Sequence, residues 1–185
     1  TCSTSTVDIS AQVAQAAELI AGRGRVMLFA GGGATSDEAS AALTALAEEL
    51  GAPVVISLMG KGAIPADHPF AVGAFGYRWS ADNRTVEDRQ NSDLAIVVGS
   101  GLGVRTSGEG SMPLPSKLIH IDIDPAEHGK RYEPNVSIIA DATQALNGLL
   151  DAVRAGNRPT ARWSEEQVAI IRDRLFEPSD ARTAG

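Results

Sequence analysis

The residues best placed to do chemistry in this chain stand at the ends of apolar runs. Lys117-Leu118-Ile119-His120-Ile121-Asp122-Ile123-Asp124-Pro125 has the pattern of a buried strand that stops in two acids and a proline. In a doubly wound α/β sheet, ligands bind beyond the carboxyl ends of parallel strands. A carboxylate at such an end can accept hydrogen bonds from ribose hydroxyls, and Asp122 suits that role. Asp124, directly before Pro125, suits the capping of a turn at least as well. Three other runs end in small residues: residues 25–33, 53–62 and 93–101. The chain therefore reads as several strand ends converging on one crevice.

Each of these ends admits a ligand-binding reading and a plainer one. Gly31-Gly32-Gly33-Ala34-Thr35-Ser36 follows a strand and opens a helix, where backbone N–H groups can hold a phosphate. It serves equally as a tight strand-to-helix turn. Ser36 stands where the dinucleotide fingerprint has its third glycine. About twenty residues on, where that fingerprint wants an acid for the ribose, the chain has Ser57-Leu58. An ordinary dehydrogenase fingerprint is absent. In Ser57-Leu58-Met59-Gly60-Lys61-Gly62 small residues allow close approach to the backbone, and Lys61 either meets a phosphate or is a solvated turn lysine. After Gly99-Ser100-Gly101-Leu102-Gly103, Arg105 either clamps a pyrophosphate or pairs with a surface acid.

His68, His120 and His128 do not form a metal set. His68 lies in a turn sequence, Asp67-His68-Pro69, and His120 reads as a satisfied core imidazole. Phe75, Tyr77 and Trp79 can cover a ring system or pack beneath their own loop. No activated nucleophile and no catalytic carboxylate pair is visible.

The elements that must position these residues follow from periodicity. Residues 8–21 predict an amphipathic helix capped by Asp8 and ended by Gly22. A strand over 26–30 leads through the triple glycine into a helix over 37–50, then a strand over 54–58. Residues 59–83 form a long excursion with a short strand at 70–74. A helix over 84–91, strands over 94–98, 118–122 and 136–139, and a helix over 143–154 complete the pattern. Such alternation predicts an α/β protein, three-layered, with a parallel sheet of five or six strands. Beyond the breaker-rich residues 155–159, Ser164-Glu165-Glu166-Gln167 has capping-box spacing, with Trp163 and Val168 as its staple, ahead of a helix over 165–176.

Bulk composition narrows the classes. Of 185 residues 43% are hydrophobic but only 4% aromatic, so the core must be built from Ala, Val, Ile and Leu. A net charge of −7 offers no basic patch for nucleic acid. Cys2 is the single cysteine, which excludes an internal disulfide and fits a reducing, cytoplasmic setting. No apolar run approaches the roughly 20 residues of a membrane span. The opening Thr1-Cys2-Ser3-Thr4-Ser5-Thr6 reads as linker. The expected division is linker over 1–7, a central domain over 8–154, and over 155–185 a linker whose tail helix leads to a missing C-terminal domain.

Three segments together resemble one known module. Phe29-Ala30-Gly31-Gly32-Gly33-Ala34, the stretch from Leu58 through Gly62 to Pro65 with Asp67-His68-Pro69, and Ile119 to Glu127 are similar to the central domain of thiamine-diphosphate-dependent enzymes, in the acetolactate synthase-like group. The resemblance implies a Rossmann-like domain of the DHS-like NAD/FAD-binding type, set between two others that together hold thiamine diphosphate and Mg²⁺. The parent would be a carboligase or decarboxylase, a transferase or lyase acting on 2-keto acids, working as a homo-oligomer. This fragment alone would be inactive, with no catalytic residue and no metal ligand of its own.

Family members hold FAD, or in one branch ADP, in this domain. By position the contacts would be Gly31, Gly32, Gly33, Ser57, Leu58, Met59, Phe75, Gly76, Gly99, Ser100, Arg105, Asp122, Ile123 and Asp141. The synthases carry Gly-Ala-Arg-Phe-Asp-Asp-Arg where this chain has Gly99 to Arg105; the first arginine and both aspartates are replaced, and of the charged residues only the last arginine is kept. That departure favours a vestigial crevice. Two other classes stay open: a free-standing nucleotide-binding module, flavoprotein or sirtuin-like, and a purely structural interaction domain. A lone cysteine argues against the four-cysteine zinc site that sirtuins usually have.

Overall fold

A computed structural model describes residues 7–74, 92–107, 112 and 114–176. At its centre lie six strands in which every pairing is parallel. They are β1 (Val26–Ala30), β2 (Val54–Ile56), β3 (Ala71–Ala74), β4 (Leu94–Val98), β5 (Lys117–Asp122) and β6 (Val136–Ile139). Their spatial order is β3-β2-β1-β4-β5-β6. The chain starts in the middle, runs to one edge and returns to build the other half. The order therefore reverses between β1 and β4, which makes that gap the topological switch point. Both of these strands are buried along their whole length. That is why they read as unbroken apolar runs rather than alternating ones.

Helices α1 (Ser10–Ala21), α2 (Asp37–Leu50) and α4 (Ala142–Arg154) pack on one another, and α5 (Glu165–Phe176) packs against β3. The architecture is the Rossmann-like, three-layer α/β arrangement expected. Its caps are local. The Ala39 N–H donates to Ser36 Oγ at 3.2 Å to start α2. Gly51 ends that helix at φ 56, a left-handed geometry that glycine adopts freely. Asp141 Oδ1 accepts from the N–H groups of Thr143 and Gln144 at the start of α4. The capping box of α5 is reciprocal: Ser164 N–H donates to Gln167 Oε1 at 3.0 Å, and Gln167 N–H to Ser164 Oγ at 3.2 Å.

Several expected boundaries move for identifiable reasons. Ile9, not Asp8, directly precedes α1; Asp8 Oδ1 instead accepts from both Ser10 N–H and Ser10 Oγ. Those bonds hold its carboxyl below the usual range. β2 stops at Ile56 instead of Leu58: Ser57 N–H makes the last ladder bond, to Ala30 O, and the chain then turns as Gly60 N–H closes back onto Ser57 O. Residues Leu58–Gly60 are then a 3₁₀ turn. A four-residue helix, α3 (Val104–Ser107), interrupts the glycine-rich excursion after β4. The helix expected over 84–91 lies outside the described residues.

The chain after Arg154 returns to the sheet. Thr160 N–H donates to Arg23 O at 2.8 Å and Trp163 N–H to Gly51 O at 2.9 Å. Arg25 stacks on the Trp163 ring at 4.6 Å. Arg154 and Arg158 both reach Glu49 at 3.1 Å, and Arg172 Nη1 donates to Ala71 O beside β3. Trp163, Val168 and Ile171 are buried with the core. No helix among the described residues is long and apolar enough to cross a membrane.

Candidate functional site

The carboxyl ends of β1, β2, β4 and β5 meet at the switch point, and they meet backbone to backbone. Gly31 N–H donates to Val98 O at 2.8 Å, Gly33 N–H to Gly99 O at 3.0 Å, and Gly99 N–H to Ile121 O at 2.8 Å. A Cβ on Gly31 would fall on Gly99 O and Ser100, and one on Gly60 on Ala30 O. One on Gly33 would lie 2.8 Å from Gly99 Cα. These glycines let four strand tips touch. The N–H groups of Gly31 and Gly33, which a phosphate would need, are already bonded to carbonyls. The start of α2 carries its own acids, Asp37 and Glu38, which complement the helix dipole without an external anion.

What this edge offers outward is apolar. Leu58 is 50% exposed, Met59 77%, Val104 51% and Ile123 71%. Asp122, half-buried at the end of β5, accepts from Asp124 N–H through Oδ1 at 2.9 Å and keeps acceptor capacity on its second oxygen. Asp124 Oδ1 accepts from Ala126 N–H, the turn-capping alternative. Asp141 is exposed and engaged in capping α4. Ser57 is buried, and Ser100 Oγ accepts from Leu102 N–H. Leu102 sits at φ 47, a left-handed geometry costly for a side chain of its kind. Phe75, Gly76, Tyr77 and Trp79, and the Arg105 side chain, lie outside the described residues.

The histidines take structural places. His120 is buried and donates from Nε2 to Ser100 O at 3.0 Å, the satisfied imidazole expected of a core position. Burial pushes its basicity below the ordinary range. His68 accepts from Phe70 N–H through Nδ1 and donates from Nε2 to Glu48 at 3.1 Å. Among the described residues no group of three or more His, Cys, Asp or Glu is disposed to hold a metal ion.

Local sequence gives no sign of the residues that brace the β4 loop from the β5–β6 connection. Arg131 Nη1 donates to Gly101 O at 3.3 Å, and the Glu127 carboxylate lies against Gly101 while paired with Lys130 at 2.8 Å. These partners lie some 26–30 residues from the loop they brace, outside the reach of any pattern rule.

With a doubly wound parallel sheet and glycine-bearing strand ends meeting at its switch point, the chain has the form of a nucleotide-type α/β domain. It belongs to the family of the thiamine pyrophosphate enzyme central domain, which it matches over residues 13–149. It is 41% identical over 152 residues to a probable acetolactate synthase large subunit of Methanocaldococcus jannaschii, covering 81% of this chain and 25% of that protein. The acetolactate synthase large subunit of Corynebacterium glutamicum is 37% identical over 155 residues, 83% of this chain and 24% of its own length. An acetolactate synthase of Mycobacterium avium is 37% identical over 159 residues, with 83% and 25% covered. The chain thus spans about a quarter of the length of the curated relatives it matches.

The site can be tested against a nucleotide. The ring and ribose of such a ligand suit Ile123 and Asp122 at the end of β5, while Leu58 and Met59 stand three strands away after β2. Its diphosphate finds the amides of Gly31 and Gly33 already taken. The fit is to the nucleoside end.

Proposed function

We propose that this chain is the middle part of a thiamine-diphosphate-dependent, acetolactate synthase-like lyase or transferase acting on 2-keto acids in the cytoplasm. One observation carries the reading. Identity of 37–41% with acetolactate synthases extends over four-fifths of this chain while touching only a quarter of theirs. The proposed division is linker over 1–7, central domain over 8–154, and a tail over 155–185 leading to the next domain. The flanking domains of the same polypeptide hold thiamine diphosphate and Mg²⁺, and the parent assembles as a homo-oligomer. Thiamine diphosphate, when bound there, supplies the electron sink for making or breaking a C–C bond.

This chain's own residues frame that site. The stitched strand tips and the returning tail keep the domain one rigid block between its neighbours. FAD or ADP, where present, would lay its ring and ribose on Ile123 and Asp122. Ser57, Leu58, Met59, Ser100 and Asp141 would flank it, with Phe75, Gly76 and Arg105 completing the set. Absorbance in the flavin bands and thermal shifts with FAD, ADP, NAD and thiamine diphosphate test this. A ligand at a hundred times its Kd stabilises by about 2.7 kcal/mol. A shift with FAD or ADP supports the nucleotide crevice, and none leaves the framing role alone. Turnover of pyruvate by this chain by itself would overturn the reading.

A further inference from the structure

Two histidines lie beside the joined strand tips, and nothing in the framing role requires them. His120, on β5, donates from Nε2 to Ser100 O in the β4 loop at 3.0 Å. His128, in the β5–β6 connection, donates from Nε2 to Asp122 O at 3.2 Å. Their rings lie 4.4 Å apart between centroids at 36°. With a proton on Nε2 of each ring, Nδ1 of each is the bare nitrogen when the imidazole is neutral. Among the described residues His128 Nδ1 is buried with no hydrogen-bond partner.

We propose that the His120–His128 pair is a proton-sensitive latch. Neutral, it ties the β4 loop (residues 99–103) to the β5–β6 connection; proton uptake in mildly acidic solution parts the two and opens the carboxyl edge of the sheet. The physical reason is that the closed form has no good place for either proton. A proton on His128 Nδ1 creates a buried donor without an acceptor. A second on His120 sets two cations one ring stack apart.

The surrounding charges do not reverse this. Among the described residues, Asp122 and Glu127 face the pair and favour a cation, but Glu127 is shared with Lys130. Arg131, bonded to Gly101 O on the same loop, disfavours one. On the two neighbouring strands His120 stands beside Val97 and Ser137, neither ionisable. Burial outweighs the hydrogen bond to Ser100 O, which favours a cation, and with His128 beside it also the attraction of Asp122 and Glu127, so His120 is held below its ordinary range. Leu102 at φ 47 relaxes once the loop is released, which favours the open form further.

Hydrogen exchange on the full chain near pH 7.5 and near pH 5, corrected for intrinsic rates, tests the latch. Each proton taken up on opening shifts the equilibrium about tenfold per pH unit below the free imidazole pKa of roughly 6.5. Protection at Leu102 and Asp124 should therefore fall at least tenfold while staying well below that of Leu28 in β1, which opens only with the whole domain. The Cε1–H resonance of His120 should titrate below the free value. In the double variant H120Q/H128Q the pH dependence should vanish. A His120 ring that titrates at or above the free value, or equal protection at both pH values, would overturn the proposal from the unsubstituted protein alone.

Discussion

Replacing Gly99 by Ala separates the two roles open to the glycine loops. Gly99 sits at φ 58, and a Cβ there would lie 2.6 Å from Gly33 Cα, 2.7 Å from its carbonyl carbon and 2.9 Å from Ala34 N. Left-handed backbone costs a residue with a side chain about 1–2 kcal/mol. Overlap with packed atoms adds typically about 1–3 kcal/mol, and these are backbone atoms that cannot swing aside. The expected loss is on the order of 3 kcal/mol, or about 6–12 °C in Tm for a chain of this size. Gly62 at φ 97 has nothing within 4 Å, so Gly62→Ala should cost only the backbone strain of about 1–2 kcal/mol. Gly103 is equally open and has no positive φ, so Gly103→Ala should stay within about 0.5 kcal/mol. Urea and thermal unfolding followed by circular dichroism rank the three variants. If Gly99→Ala unfolds no more readily than Gly62→Ala, the stitching of strand tips is not what glycine does there. A stable Gly99→Ala protein that has lost only nucleotide affinity would point to the ligand instead.

Three further outcomes are expected. Asp141→Ala removes the two-bond cap of α4 and should cost about 1 kcal/mol, with Asp141→Asn retaining most of it in the same urea melts. Trp163→Ala empties a buried site and unseats Arg25, for a loss of about 3–5 kcal/mol; a Tm like that of the parent chain would show the returning tail to be dispensable. His120 is held neutral in the folded state. The unfolded chain therefore binds more protons below the free imidazole pKa, and unfolding free energy should fall as pH drops from neutral toward 5. A slope that persists in H120Q would assign it to another group.

The order of elements was legible because each is written in local terms. β1, α2, β4, β6 and α5 begin and end where periodicity, Ser36, Gly51 and the Ser164–Gln167 box put them. The parallel sheet followed from alternation, and the family likeness from residues at strand tips. The boundaries that moved did so where a short-range bond outranked the apolar pattern. β2 ends early because Gly60 N–H turns back onto Ser57 O. Asp8 yields the helix start because its carboxylate turns to Ser10.

The sequence by itself determined the fold class, the caps and the converging glycine-bearing ends, because propensity, capping and apolar pattern act over a few residues. Only the tertiary structure decided what those ends do. Gly31, Gly33 and Gly99 face one another across some 70 residues of chain, so whether their amides meet a ligand or a neighbouring carbonyl depends on strand order, which no local pattern encodes. The same holds for the tail, which returns to Arg23 and Gly51, and for His120 and His128, whose rings stack because β5 and its following loop double back. Contacts that join distant residues pay no local entropy signature in the sequence; they become fixed when the core closes.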